Sequence, residues 1–195
     1  MEEVAVLLER ALFGFASYGR VRFHHRSVIE YLTASCLQEM LNNGMSLKAV
    51  KRLLFAETAQ GIYVVKPSMR PVAAWLGLSE RSIFEEIRNR EPNVLLDFGD
   101  PQSLTLLQKQ ECLVEFVGRY GTGEWRGLNA PYIQLHRFAC PELGDLLIRL
   151  WNSGIENHEV RLLILDLFAL VPVLRASDIA FNLATDNKKG YIERS

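Results

Sequence analysis

The sequence predicts an all-α protein, an irregular α-solenoid of helical hairpins behind a short strand near its start. Apolar residues recur at three- and four-residue spacing through most of the 195 residues. The periodic runs are short and punctuated by Gly, Pro, Asn and Ser, so that helix follows helix in pairs. Strand-like alternation is nearly confined to Arg20-Val21-Arg22-Phe23-His24. No strict repeat of fixed period runs through the chain, and a globular helical bundle fits the same pattern.

Each element has its own signal. Val4, Leu7, Leu8 and Ala11 predict a helix over 3–17, broken at Tyr18-Gly19. The strand over 20–24 has no obvious partner downstream, which marks residues 1–26 as the end of a module whose earlier part is absent. Ser27 and Glu30 have the S-x-x-E spacing of a capping box and predict a helix to about Asn42, ended by Asn43-Gly44. Val28, Tyr31, Leu32, Ser35 and Cys36 share one of its faces. Ile29, Leu37, Met40 and Leu41 widen the apolar surface, so burial on more than one side is expected.

Ser46 caps the next expected helix, over 47–57. Tyr63-Val64-Val65 can pair briefly as a strand before Pro67. Pro71 suits the first turn of a helix carrying Val72, Trp75 and Leu76 inward, and Ser79 suits the cap of a helix over 80–89. A short helix over 94–98 stops at Gly99-Asp100-Pro101. A long one follows over 102–119, with Leu106, Leu107, Leu113, Val114 and Val117 inward. Four glycines mark a flexible loop over 121–130, and Pro131 opens a helix to Ala139.

The most regular part comes last. Leu143, Leu146, Leu147, Leu150 and Trp151 form one stripe, and Val160, Leu163, Ile164, Leu167, Phe168 and Val171 form another. The polar turn Asn152-Ser153-Gly154 joins them as an αα-hairpin. Ser177 or Asp178 caps a final helix to about Thr185, and 186–195 reads as a flexible tail. The helical array thus spans 27–185. Trp75 and Trp151 are expected in the core, and Trp125 on the surface.

Composition bounds the function. The chain is 49% hydrophobic and 23% charged, with a net charge of −1. That supports a substantial core and no overall field for nucleic acid or anionic lipid. Cys36, Cys112 and Cys140 are isolated and lack C-x-x-C pairing. They read as small buried hydrophobes in a reducing compartment. The acidic Met1-Glu2-Glu3 start does not resemble a signal peptide. The apolar run Leu162–Leu174 is interrupted by Asp166 and Pro172 and is too short to span a bilayer. A cytoplasmic protein with neither membrane nor nucleic-acid partner is expected.

Few residues carry chemistry. Gly118–Glu124 is glycine-rich but lacks the G-K-[ST] ending that would hold phosphate and magnesium. His158-Glu159 begins like a zinc-protease helix, but Leu162 stands where the second histidine is required. No nucleophile elbow or cysteine-protease signature surrounds any of the four histidines. No catalytic or metal-ligating residue is therefore assigned. His24 and His25 are adjacent on a strand, so their side chains point to opposite faces and cannot readily share a metal. Arg20, Arg22 and Arg26 lie close by in sequence. The pair fits either a structural role or a local phosphate-contacting patch.

Phe23-His24-His25-Arg26-Ser27-Val28-Ile29-Glu30-Tyr31-Leu32-Thr33-Ala34 resembles the F-x-H-x-S-[FV]-Q-E-[YF]-x-A-A segment of NACHT-type STAND NTPases. Phe23, His25, Ser27, Val28, Glu30, Tyr31 and Ala34 fit it, while Ile29 and Thr33 depart from it. Pro67–Leu76 and Glu91–Asp100 look like the helical array that follows the NTPase core in bacterial members. The resemblance implies a chain that begins inside the winged helix, with a strand or hairpin remnant of it, and continues as HEAT-like helices. It further implies an ATP-driven switch that rests as an ADP-bound monomer and homo-oligomerises when its sensor meets a ligand. Many bacterial relatives act in phage defence.

The family's histidine contacts the ADP phosphates, a role that maps onto His25. This chain has no P-loop or Walker B acid, so ATP or ADP with Mg belongs to the parent protein. Its expected partner is a protein, or an NTPase core in the same or a neighbouring chain. The expected function is therefore sensing or regulation through protein–protein recognition, without catalysis. A free-standing helical scaffold or adaptor with no NTPase partner is the alternative, and a small enzyme with an unrecognised site is a third.

Overall fold

The computed structural model describes residues 13–16, 20–23, 25–123 and 130–171, together with Phe181 and Thr185. The described residues are mostly helical, with two small two-stranded sheets among them. The first sheet overturns part of the helix expected over 3–17. β1 (Phe13–Ala16) pairs antiparallel with β2 (Arg20–Phe23), setting Phe13 opposite Phe23 and Gly14 opposite Arg22. Gly14 weakens a helix, and the Phe13 ring packs 4.8 Å from that of Phe23 across the strands. The partner of β2 therefore lies upstream, and β2 is not an orphan. Residues 3–12 and Ser17 lie outside the described residues.

α1 (Arg26–Asn42) begins one residue before Ser27, so the expected capping box does not form. His25 takes the cap position with extended backbone, and Glu30 pairs with Arg26 at 2.9 Å. Asn43-Gly44 ends the helix as expected, with Gly44 at φ 97°. Burial on several sides is not observed. Ala34 and Leu37 are buried, whereas Ile29, Tyr31, Leu32, Cys36 and Met40 are exposed.

Ser46 accepts from the Ala49 amide and starts α2 (Leu47–Leu54). α2 stops short of 57 because Phe55–Glu57 forms β3, which pairs with β4 (Tyr63–Val65). α3 (Arg70–Gly77) has Pro71 in its first turn. α4 (Arg81–Arg90) is capped by Glu80, not by Ser79. The Ser79 hydroxyl instead donates to Gln38 at 2.8 Å, linking this corner to α1. α5 (Val94–Asp97) ends before Gly99, which adopts φ 71°.

Pro101–Ser103 forms a 3-10 turn, and the true N-terminus of α6 (Leu106–Tyr120) is a Thr105/Gln108 capping box. That start turns Gln108, Lys109, Cys112, Leu113, Phe116 and Val117 inward. Leu106, Leu107 and Val114, expected inside, are exposed. The buried Lys109 carries its ammonium over the Phe138 ring at 5.7 Å, so its aliphatic stem fills space that the pattern had assigned to leucine.

α7 (Tyr132–Phe138), α8 (Gly144–Asn152) and α9 (His158–Leu170) complete the described array. α8 and α9 form the expected hairpin, with Trp151 edge-on to Phe168 at 6.3 Å. The Gly121 carbonyl accepts from the Glu156 and Asn157 amides, which ties the end of α6 to the α8–α9 turn. Of the expected helix ending at Thr185, Phe181 and Thr185 are helical. Its caps, the 186–195 tail and residues 124–129 of the expected loop lie outside the described residues.

Packing runs from α1 to α3, from α3 to α4, from α4 to α6, and from α6 through α8 to α9. α5 and α7 pack against each other, α5 also on α3 and α7 on α9. The core is continuous and includes Phe84, Phe116, Phe138, Leu113 and Ile164. Trp75 and Trp151 are half-buried against it, and Trp125 lies outside the described residues. Cys112 is buried and Cys140 half-buried, but Cys36 is exposed, contrary to the expected burial of all three. No described helix is long and apolar enough to cross a membrane.

A Cβ at Gly99 would lie 3.1 Å from both the carbonyl carbon and the Cβ of Ala74. At Gly154 (φ 85°) it would meet nothing within 4 Å. Gly99→Ala is expected to cost about 2–4 kcal/mol, combining left-handed strain with a forced shift of α3. Gly154→Ala should cost about 1–2 kcal/mol, from strain alone. Urea denaturation of the two variants checks the ordering.

Candidate functional site

Two surfaces and one interior cluster concentrate the chemistry. The first surface is the β2–α1 junction. Arg20 and Arg22 alternate on one face of the hairpin and both are exposed. His25 is exposed at the start of α1, and its side chain does not cap the helix. The first turn contains no acid, and Val28 N–H bonds the His25 carbonyl at 3.2 Å. The leading amides and the positive end of the helix dipole are therefore met by no capping side chain. Arg26 is engaged with Glu30. His24, the other member of the pair, lies outside the described residues.

From this terminus an apolar stripe runs along α1. His25, Ile29, Leu32, Cys36 and Met40 follow at i, i+4, i+7, i+11 and i+15, on the side away from buried Ala34 and Leu37. Ile29 and Leu32 are each 45% exposed, and Met40 is 42% exposed. Such a row leaves the outer face of the helix apolar and uncovered by the described residues. Its apolar positions were visible in the sequence, but were assigned to the interior.

Sequence reasoning missed the second surface. An open cleft of about 490 Å³ is lined by Lys48, Lys51 and Arg52 of α2, Phe55 of β3, Tyr63 of β4 and Arg90 at the end of α4. Arg90 lies over both aromatic rings, 4.9 Å from each centroid. Glu86 pairs with Arg90 at 2.8 Å and with Lys51 at 2.9 Å. Partial burial works to raise the Glu86 pKa, but the two cations outweigh it and hold the carboxyl below its ordinary value. The basic stripe Lys48, Lys51, Arg52 was the available signal. Its partners come from β3, which the sequence pattern placed inside a helix, and from a helix end some forty residues on.

The interior cluster lies among α3, α5 and α6. Arg70 pairs with Glu91 at 2.8 Å. Asn93 donates to Asp97 at 3.4 Å and accepts from the Tyr120 hydroxyl at 3.4 Å. Cys112 donates to the Pro92 carbonyl. Burial, reinforced by the Asp97 charge, pushes the Cys112 thiol far up, the reverse of an activated nucleophile. Among the described residues no three His, Cys, Asp or Glu side chains are grouped to hold a metal.

Burial also raises the Asp97 carboxyl to about 6, against the opposing pull of Asn93 and Arg70. One of its oxygens is buried without a protein partner. The folded chain therefore holds this proton more tightly than the unfolded chain does. Stability should fall as pH rises from about 4 to about 6, with the loss complete above that. Asp97→Asn is expected to be more stable than the parent by about 1–3 kcal/mol at pH 7, and equal to it near pH 4. Denaturation at a series of pH values measures both.

No protein-family model matches the chain, and no curated protein or solved structure is significantly similar to it.

Proposed function

We propose that this chain is the regulatory or sensor helical region of a NACHT-like ATP-driven switch, working through protein–protein recognition. The observation that carries the proposal is the exposed face of α1, an apolar stripe headed by His25. An NTPase core, in the same or a neighbouring chain, would cover Ile29, Leu32, Cys36 and Met40. That contact would bring its nucleotide to the helix terminus. There His25 donates a hydrogen bond to an ADP phosphate oxygen, and the uncapped amides favour the negative charge. The arginines at 20 and 22 add to the local positive field. ATP or ADP with Mg belongs to the core, and this chain contributes a state-dependent contact.

We further read the helices as an irregular HEAT-like solenoid. The serial packing of α1, α3, α4, α6, α8 and α9 supports this arrangement. Such a stack offers a long surface for a sensed ligand. The second reading is a free-standing helical scaffold or adaptor. The pairing of β2 with β1 fits both readings: it leaves β2 no orphan, as a free-standing chain requires, and it is also the hairpin remnant that the first reading expects.

An upstream reading frame carrying G-x-x-x-x-G-K-[ST] favours the switch, and an unrelated neighbour favours the scaffold. With a P-loop core joined to the chain, His25→Ala should weaken ADP binding about tenfold, measured calorimetrically. Unchanged affinity removes the phosphate contact. Cys36 should react readily with maleimide in the isolated chain and slowly once the core is attached. ATP turnover by the isolated 195 residues would overturn the non-catalytic proposal.

A further inference from the structure

We propose that the cleft between α2 and β3 docks an acidic, apolar peptide segment of a partner protein, laid along the open edge of β3. The inference rests on the recognition function proposed above and names a partner chemistry for one part of the array.

Charge gives the sign of the ligand. Lys48, Lys51, Arg52 and Arg90 surround the cleft. Lys66 does not line the cleft, but its ammonium donates to the Arg52 carbonyl at 2.6 Å. The opposing carboxylates are Glu57 and Glu86. Glu86 is committed to Lys51 and Arg90, and neither Lys48 nor Arg52 forms an ion pair among the described residues. A chain of net charge −1 thus concentrates uncompensated positive charge here.

The floor gives the rest of the chemistry. Leu47, Phe55, Ala56 and Tyr63 make it mainly apolar. A free phosphate could meet the rim cations but would leave the apolar floor uncovered. The ring faces of Phe55 and Tyr63 that meet Arg90 are already occupied by its guanidinium, so they are closed to a stacking base. A side chain with an aliphatic body, beside a carboxylate, satisfies both the floor and the rim.

Backbone geometry gives the mode. The second sheet has two strands, so β4 satisfies one edge of β3; on the other edge the Phe55 N–H bonds the Lys51 carbonyl, and among the described residues Glu57 is left without a backbone partner there. All three β3 residues, Phe55, Ala56 and Glu57, line the cleft. An extended peptide can pair with that edge, placing alternate side chains on the apolar floor and against the cations.

The test uses the full chain and a fluorescein-labelled peptide alternating glutamate and leucine. Fluorescence anisotropy should show saturable binding that weakens with salt. Amide shifts of the labelled protein should centre on Ala56 and Glu57. The double substitution Lys48→Glu and Arg52→Glu, at exposed positions, should leave the circular dichroism unchanged and weaken binding about tenfold or more. Absence of saturable binding overturns the proposal. So does equal binding of a lysine–leucine peptide, equal or tighter binding of a single-stranded oligonucleotide, or an unchanged affinity in the double variant. Shifts confined to another part of the array overturn this site and leave the wider recognition function standing.

Discussion

Close packing around α3 is the constraint on which the rest of the structure depends. This eight-residue helix buries Pro71, Val72, Ala73, Ala74, Leu76 and Gly77. Small residues make that possible, because they let neighbouring backbones approach. A Cβ on Gly77 would already lie 3.3 Å from Ile87 and 3.4 Å from the Phe84 backbone, and the Gly99 loop presses on Ala74 from another side. α1, α4 and α5 all pack on this one element. Interiors at crystal-like density transmit displacement rather than absorb it. The positions of α1 and α4 are therefore coupled through α3.

That coupling places the two surfaces. α1 can spend only one face on α3, since Ala34 and Leu37 saturate the contact and Trp75 meets Tyr31 at the flank. Its opposite stripe is left outward by geometry. At the other side, α4 carries Glu86 and Arg90 to the cleft, where one guanidinium serves a carboxylate and two rings at once. The planar, delocalised Arg cation suits that triple role, and a lysine ammonium would not reproduce it. The cleft is thus held by side chains whose rotamers are fixed from several directions, while Lys48 and Arg52 remain available on the rim.

Much of this order was legible in the sequence, and the failures have identifiable causes. Helices with one clean stripe, such as those after Ser46 and around Pro71, start where the periodicity puts them, although the first ends at Leu54 and leaves Leu53, expected inward, exposed. α1 and α6 do not, because each has apolar residues on more than one face. For α6 the Thr105–Gln108 box set the phase, and the buried stem of Lys109 outcompeted two leucines for the interior. Phe13–Ala16 and Phe55–Glu57 became strands because partners at a distance pair with them, a tertiary effect that a local pattern cannot register. The same blindness hid the cleft, whose parts are separated along the chain. The exposure of His25 could be anticipated, but not its place as an uncapped helix start.

The polar groups divide into those that hold the fold and those that can answer a partner. Cys112 is buried and Asp97 and Tyr120 are half-buried, and burial drives all three toward their neutral forms. They can rigidify the α3–α5–α6 region. The groups left with unmet capacity are of another kind: a helix terminus, two unpaired cations, a strand edge and an apolar stripe. Each gains free energy only when something of complementary charge or shape covers it. The packing of α1 and α4 on α3 gives two such surfaces a common, tightly packed support.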